Sequence, residues 1–348
     1  MSKDSKIKLG LIGFGTIAQK HYRALTELES DISIEAIVDS NPEVEAFCKE
    51  LSIDFFKDVD DLLANKALDL GSICTPTGSH AMITEKLSNK GINVLTEKPL
   101  ATSYEDGSSM VECCKKNGVK LFTVKQFRNN PLLMATKKAI DQGSFGKIYM
   151  VNSNVFWTRP QAYYDSDEWR GTVEHDGGEV MNQASHFVDV LSWLMGDIDY
   201  IQCTAETLAR DIEVEDSAVA NIRWKNGAIG SFSVTMLTYD RNLEGSLTIL
   251  GENGSVRISG TFLNEIDHWN FKDPQSNSLE IKKLQSISMS NFQKQVSHKS
   301  VYENIIKDLK GEETINITYG NEALKSLEMI IGMYESSKEG VRKYFPIR

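Results

Sequence analysis

The apolar run KIKLGLIGFG (residues 6–15) ends in two glycines one residue apart and passes straight into helical spacing over residues 17–28. Few folds accept that join. A buried strand that turns sharply into a helix needs glycine where the backbone takes a conformation closed to a β-carbon. In GFGTIA, Gly13 permits the tight turn, Gly15 lets the backbone approach a pyrophosphate, and Ala18 is small enough for the helix to pack on the strand. The helix N-terminus, flanked by Phe14, Thr16 and Ile17, offers unpaired N–H groups and a partial positive charge to that anion.

The next elements repeat the alternation. Residues 34–40 read as a second strand with Asp39 at its end, and Pro42 suits the first turn of a helix. Strands are expected around Ile73, Val94 and residues 120–125, with a helix over 79–89 capped by Ser79 and another starting at Ser103 with Asp106 as its capping partner. Strands alternating with helices predict an α/β fold with a parallel, doubly wound sheet over residues 1–125, a Rossmann domain. A carboxylate at Asp39 accepts hydrogen bonds from adenosine ribose hydroxyls and repels a 2′-phosphate; Ser40 and Asn41 follow it rather than Arg, which favours NAD over NADP.

Beyond residue 125 the pattern changes. A helix over 131–142 leads to a strand over 147–157, and further strands centre near Ile222, Phe232, Leu247 and Val256, with Asn226-Gly227 and Asn253-Gly254 as hairpin turns. Residues 126–348 are therefore expected to form an α+β domain on a large, mostly antiparallel sheet. Its two terminal helices fall near 301–310 and 320–337, the last able to pack back on the first domain. The polar stretch 269–296 resists assignment.

Composition narrows the function. The chain of 348 residues carries 49 acidic and 38 basic side chains, a net charge of −11, which repels phosphate backbones and anionic lipid surfaces. Neither nucleic acid nor membrane is an expected partner. An anionic substrate would need a local cluster of Arg or Lys. The opening residues lack the apolar core of a signal peptide, and five cysteines in no zinc-binding spacing read as reduced thiols in the cytoplasm, with no metal expected.

Two features carry chemistry. TEKP (residues 96–99) closes a buried parallel strand, so Lys98 points beyond the carboxyl end of the sheet, where ligands of open α/β sheets bind. In DGGEVMNQASHFVD (residues 176–189), Asn182, His186 and Asp189 follow at spacings of four and three and are expected on one helix face after Gly177 and Gly178. Oxidation of an alcohol needs a hydride acceptor and a base for the hydroxyl proton. His186 fits the base and Lys98 the group that stabilises the developing alkoxide, with the two roles open to exchange.

GFGTIA, TPTGSH (residues 75–80), EKP and the block ending at His186 together resemble the Gfo/Idh/MocA oxidoreductase family over essentially the whole chain. The resemblance implies NAD bound by Gly13, Phe14, Gly15, Thr16, Ile17, Asp39, Thr75, Pro76, His80, Glu97, Lys98 and Gln126, and a cis Lys98-Pro99 bond. It further implies that the sheet of residues 126–348 is open, lines the substrate site and pairs subunits. KQFRNNP (residues 125–131), NVFWTRPQAYYDSDEWRGT (154–172) and SHKSVYENII (297–306) resemble a narrower group, the UDP-N-acetyl-2-amino-2-deoxyglucuronate 3-dehydrogenases of bacterial lipopolysaccharide and O-antigen synthesis. That likeness implies oxidation at sugar C3, recycling of NAD by 2-oxoglutarate, a downstream aminotransferase, and a homodimer or homotetramer. It also implies Tyr302 facing the substrate. Many relatives carry Asp where this chain has Asn182, which can orient a substrate but cannot take its proton.

A UDP-uronate brings a diphosphate and a carboxylate, for which Arg128, Arg170 and, secondarily, Arg159 are the candidate cations. Tyr163, Tyr164 and Trp169 are candidates for stacking on sugar or uracil. The alternatives are an NAD-dependent dehydrogenase of another sugar or of an inositol-type polyol, or a non-catalytic dinucleotide-binding regulator.

Overall fold

The computed structural model describes residues 5–277, 281, 284, 289–314 and 316–347. It divides into two compact units, Met1–Gln126 with Ser297–Leu324, and Phe127–Val296 with Lys325–Arg348. Met1 to Asp4, and residues 278–280, 282–283 and 285–288 of the polar stretch, lie outside the described residues.

In the first unit, the described residues form six parallel strands in the order β3-β2-β1-β4-β5-β6. These are β1 (Ile7–Ile12), β2 (Ile32–Val38), β3 (Asp54–Phe56), β4 (Leu70–Ile73), β5 (Asn93–Thr96) and β6 (Leu121–Thr123). The order reverses between β1 and β4, and such a switch point opens a ligand crevice at the strands' carboxyl ends. Ile7, Leu9 and Leu11 on one face of β1 are fully buried and Gly10 and Ile12 on the other are buried too, as expected of a central strand covered on both faces.

The helix His298–Leu309 places Val301, Tyr302, Ile305 and Ile306 in the same core as β1 and the helix Thr16–Thr26. That spacing is a helical stripe, and its burial explains why a segment so late in the chain belongs to the first unit. Ser103 caps the helix Tyr104–Lys116 by accepting from Asp106 N, as its sequence predicts. Ser79 does not cap the helix His80–Asn89; its hydroxyl donates instead to the Pro76 carbonyl at 2.8 Å.

The second unit carries an eight-stranded sheet, among the described residues, in the order β13-β12-β11-β7-β10-β9-β8-β14. Its strands are β7 (Ile148–Phe156), β8 (Ile198–Glu206), β9 (Ser217–Trp224), β10 (Ile229–Thr235), β11 (Glu244–Gly251), β12 (Gly254–Ser259), β13 (Glu265–Phe271) and β14 (Lys343–Tyr344). β7 and β10 pair in parallel and the other neighbours antiparallel. Strand alternation buries Val151, Val155, Phe232, Val234, Leu247 and Ile249 on one face. The other face shows Met150, Ile229, Val219 and Leu250 among Ser, Thr and Asn.

Trp269, which opens the unassigned stretch, lies within β13, and Met289–Gln295 is helical. The helix carrying His186 begins at Ser185 rather than after Gly178. Asn182 therefore stands in the preceding turn, where two glycines with positive φ bend the chain. No helix among the described residues is long and apolar enough to cross a membrane.

Candidate active site

The glycine turn is built as its sequence requires. Gly13 has φ +84°, and a β-carbon there would lie 2.9 Å from Thr75 Cγ2 and 3.0 Å from the Cys74 carbonyl carbon. At Gly15, which precedes the helix Thr16–Thr26, no atom comes within 4 Å of the position a β-carbon would take. The space a side chain would fill, beside a helix N-terminus, is a cradle for a pyrophosphate. Phe14 N donates to Asp39 Oδ2 at 2.6 Å and Asn41 N donates to Oδ1 at 2.8 Å. Asp39 is thus fixed against the turn while each oxygen keeps a lone pair for a ribose hydroxyl. These residues fit a dinucleotide. Thr16 is exposed, and Phe14, Ile17 and Thr75 are partly so, while Pro76 is exposed and Gln126 half-buried.

His80 departs from the expected cofactor contact. Its ring is buried, with Nε2 at 3.0 Å from the Thr75 carbonyl and Nδ1 at 3.0 Å from Thr96 Oγ1 and 3.2 Å from the Pro99 carbonyl. It ties the ends of β4 and β5 together. Burial lowers its pKa, so it serves as a neutral strut.

Glu97 is equally committed. Its Oε1 lies 2.9 Å from His21 Nε2 and 3.0 Å from His298 Nε2, and its Oε2 accepts from Lys98 N at 2.9 Å. Burial pushes its carboxyl up, but the two imidazoles outweigh burial and hold it well below the usual carboxylate range. Lys98 itself is partly exposed at the end of β5, and the Lys98-Pro99 bond is cis. Tyr302, expected to face the substrate, is fully buried instead, with its hydroxyl 2.7 Å from His21 Nδ1 and 2.8 Å from Ser72 Oγ.

The second unit positions His186 at the start of the helix Ser185–Met195, its ring stacked on Phe127 with centroids 4.9 Å apart. Arg128 Nε and Nη2 donate to the two Asp189 oxygens at 2.9 and 3.0 Å. Both side chains are buried. That fork spends two of the five guanidinium N–H groups on the helix that bears His186, so Arg128 acts there as a brace. Asn182 Nδ2 donates to Asp176 Oδ1.

The remaining candidates form a second cluster. Arg159 Nε and Nη2 donate to Gln183 Oε1 at 3.1 and 2.7 Å, and Arg170 Nη1 donates to Tyr163 Oη at 2.5 Å. Both guanidinium groups lie over the Tyr163 ring, at 5.4 and 4.3 Å, and Arg170 also covers Trp169 at 4.6 Å. Tyr164 differs from its neighbour: it is buried and donates to Glu179 Oε1 at 2.8 Å, out of stacking position. Behind it, Asp176, Glu179 and Glu215 make a buried acidic group; burial is the main cause that pushes Glu179 up to about 8 and Glu215 up to about 7.

His21, His298 and Gln183 escaped the sequence reading. His21 had a signal: it shares a buried stripe with Ala18, Ala24 and Leu25 on the helix after the glycine turn, a costly place for an imidazole without partners.

Two family models match the chain. An oxidoreductase family's NAD-binding Rossmann fold covers residues 7–125, and the C-terminal alpha/beta domain of that family covers 137–345. The WlbA dehydrogenase from Bordetella pertussis, solved in complex with NADH and UDP-GlcNAcA, is 44% identical, with a TM-score of 0.95 and 100% of each chain covered. WlbA from Chromobacterium violaceum, in complex with the same two molecules, is 44% identical with a TM-score of 0.93, covering 99% of this chain and 97% of that one. The D-apiose dehydrogenase of Paraburkholderia graminis is 24% identical over 96% of this chain and 88% of its own length.

Proposed function

Because the chain belongs to the Gfo/Idh/MocA oxidoreductase family and is an NAD-dependent sugar dehydrogenase, we propose that it oxidises the C3 hydroxyl of a UDP-N-acetylglucosaminuronate-type sugar to the 3-keto sugar. The observation that carries this reading is the pair of guanidinium groups over Tyr163, Arg159 and Arg170, in a protein of net charge −11. Concentrated cations on an acidic chain suit a substrate with both phosphate and carboxylate charge. The 44% identity to WlbA chains solved with UDP-GlcNAcA supports the same substrate.

In this reading the first unit holds NAD through Gly13, Gly15, Asp39 and the N-terminus of the helix Thr16–Thr26. NAD held there would supply the hydride acceptor that oxidation of the alcohol needs. His186 takes the hydroxyl proton, imidazole being the side chain whose ordinary pKa suits proton removal near neutrality. The Lys98 ammonium stabilises the oxyanion as it forms, and Asn182, held by Asp176, orients the sugar without competing for the proton. The alcohol loses a hydride and a proton and leaves as a ketone. Arg170, Tyr163 and Trp169 hold the anionic end of the sugar, with Arg159 beside them.

The partners follow from that product. A 3-keto uronate is a substrate for an aminotransferase, and 2-oxoglutarate serves to reoxidise the cofactor. The open face of the second unit's sheet, with Met150, Val219, Ile229 and Leu250 among polar neighbours, pairs copies of the chain into a homo-oligomer.

The test is NADH formation with a panel of UDP-sugars with and without the uronate carboxylate, 2-oxoglutarate being added to regenerate NAD. Turnover confined to UDP-N-acetylglucosaminuronate is the expected result. Turnover of D-apiose or inositol with none of any UDP-sugar would overturn the substrate assignment.

A further inference from the structure

Two imidazoles meet at one carboxylate oxygen in the first unit. His21 comes from the helix after the glycine turn, Glu97 from the end of β5, and His298 from the first position of the helix His298–Leu309. Both Nε2 atoms lie at hydrogen-bond distance from Glu97 Oε1, at 2.9 and 3.0 Å, and the other oxygen accepts the main-chain N–H of Lys98. His21 is fixed on its far side too, because Nδ1 meets Tyr302 Oη at 2.7 Å and that hydroxyl meets Ser72 Oγ at 2.8 Å.

The bonds form a directed chain. With His21 neutral, Ser72 donates to Tyr302, Tyr302 donates to His21 Nδ1, and both Nε2–H groups donate to Glu97. Three of the carboxylate's roughly four acceptor positions are then taken within the chain, which leaves little for a cofactor hydroxyl. By residue type this trio is a metal-ligand grouping, but a cation would have to enter between groups already in hydrogen-bond contact.

What the network holds is the main chain at Lys98. A lysine ammonium rides on a flexible four-carbon stem, so its placement depends on how firmly its root is fixed. We propose that Glu97, clamped by His21 and His298, is a positioning residue that fixes the root of Lys98 and thereby sets where its ammonium stands during alcohol oxidation. This rests on the reading that Lys98 acts at the reacting carbon.

The experiment compares His298→Leu, His298→Gln, Lys98→Ala and the double variant His298→Leu/Lys98→Ala, using whichever sugar of the panel turns over. kcat, KM, NADH affinity by fluorescence and thermal unfolding are measured for each. His298→Leu is expected to lower kcat by about 10- to 100-fold, the scale of a small misplacement, while NADH affinity stays within about threefold. His298→Gln, whose amide N–H reaches the same oxygen, recovers most of that loss. Added to Lys98→Ala, the His298→Leu change costs nothing further, since residues acting through one another are not additive.

Native kcat in His298→Leu, beside an inactive Lys98→Ala, would overturn the positioning role alone. Equal loss from His298→Leu in both backgrounds would also overturn it, revealing a general structural defect. Full turnover by Lys98→Ala would instead remove Lys98 from the reaction. Should His298→Leu not fold, Tyr302→Phe deletes only the hydroxyl behind His21; a kcat loss of about 3- to 10-fold with unchanged NADH affinity is expected, and an unchanged kcat overturns the proposal.

Discussion

Arg128 grips Asp189 through two parallel hydrogen bonds of 2.9 and 3.0 Å, and both side chains are buried. Asp189 lies one helical turn beyond His186, so the pair fastens the helix that presents the imidazole. Breaking one half of such a pair leaves the other charge buried without compensation, at a cost of about 3–5 kcal/mol. Asp189→Asn is therefore expected to lower the denaturant midpoint sharply, and Arg128→Lys to lower it less. Replacing both with apolar residues, as in Arg128→Met/Asp189→Leu, should recover most of the stability. A double variant no more stable than Asp189→Asn would show that the fork contributes more than its charge balance.

Gly15 offers a cleaner test of the cofactor cradle than Gly13. Gly13 has positive φ and backbone nearby, so any substitution there mixes binding with strain. At Gly15, which has φ −74° as N-cap and open space around it, a side chain threatens only what occupies that space. Gly15→Ser, which keeps a favoured N-cap residue, should weaken NADH binding by at least about tenfold, or about 1.4 kcal/mol, with the thermal midpoint nearly unchanged. A fluorescence titration with unaltered NADH affinity would place the pyrophosphate elsewhere.

Arg170 sits where an anion can be read by both charge and ring. It donates to Tyr163 Oη and to Asp167 and covers two aromatic faces. Loss of a charge-assisted hydrogen bond costs about 1.5–3 kcal/mol, so Arg170→Ala should raise KM for the UDP-uronate by roughly 10- to 150-fold with a smaller change in kcat. Competitive inhibition by UDP-N-acetylglucosamine, which lacks the carboxylate, distinguishes the group contacted. A rise in its inhibition constant equal to the rise in KM for the UDP-uronate assigns Arg170 to the diphosphate, and no rise in either removes it from the substrate.

The first unit was legible because its signals are local. A strand, a glycine turn and a helix follow one another without interruption from Ile7 to Thr26, and Asp39 ends the next strand. Partners that lie far apart in sequence were not legible. Nothing near residue 128 announces that its guanidinium meets Asp189, and nothing near Tyr302 announces His21, 281 positions away. In sequence, an Arg or Tyr in a binding segment looks the same whether its polar atoms meet a ligand or the chain's own core. Asn182 shows a different limit: helical spacing runs on through 179–184, which makes helix-like bonds such as Asn182 N to Gly178 O but is a turn after the positive-φ Gly177 and Gly178, and the helix itself starts only at Ser185.

The buried acids of the second unit give a pH dependence of definite sign. Burial, with Asp176 next, raises Glu179 from 4.5 to about 8, and its Oε1 accepts the Tyr164 hydroxyl. A carboxyl whose folded pKa exceeds its unfolded value binds extra protons in the folded state between the two values. Its contribution is fully present below about 4.5, is lost as pH rises, and is gone above about 8. The loss cannot exceed about 1.4 kcal/mol per pH unit for one group. Glu179→Gln keeps an oxygen for Tyr164 and removes the charge, so urea unfolding should show a flatter profile between pH 5.5 and 8.5 and a higher midpoint than the native chain at pH 8.5. Glu97 works in the opposite sense, since its depressed pKa keeps it ionised and stabilising until well into acid, and it leaves the alkaline comparison untouched. A Glu179→Gln chain no more stable than the native one at pH 8.5 would mean that a cation neutralises the carboxylate, and Arg159, whose charge already lowers the Glu179 pKa, is the group to replace next.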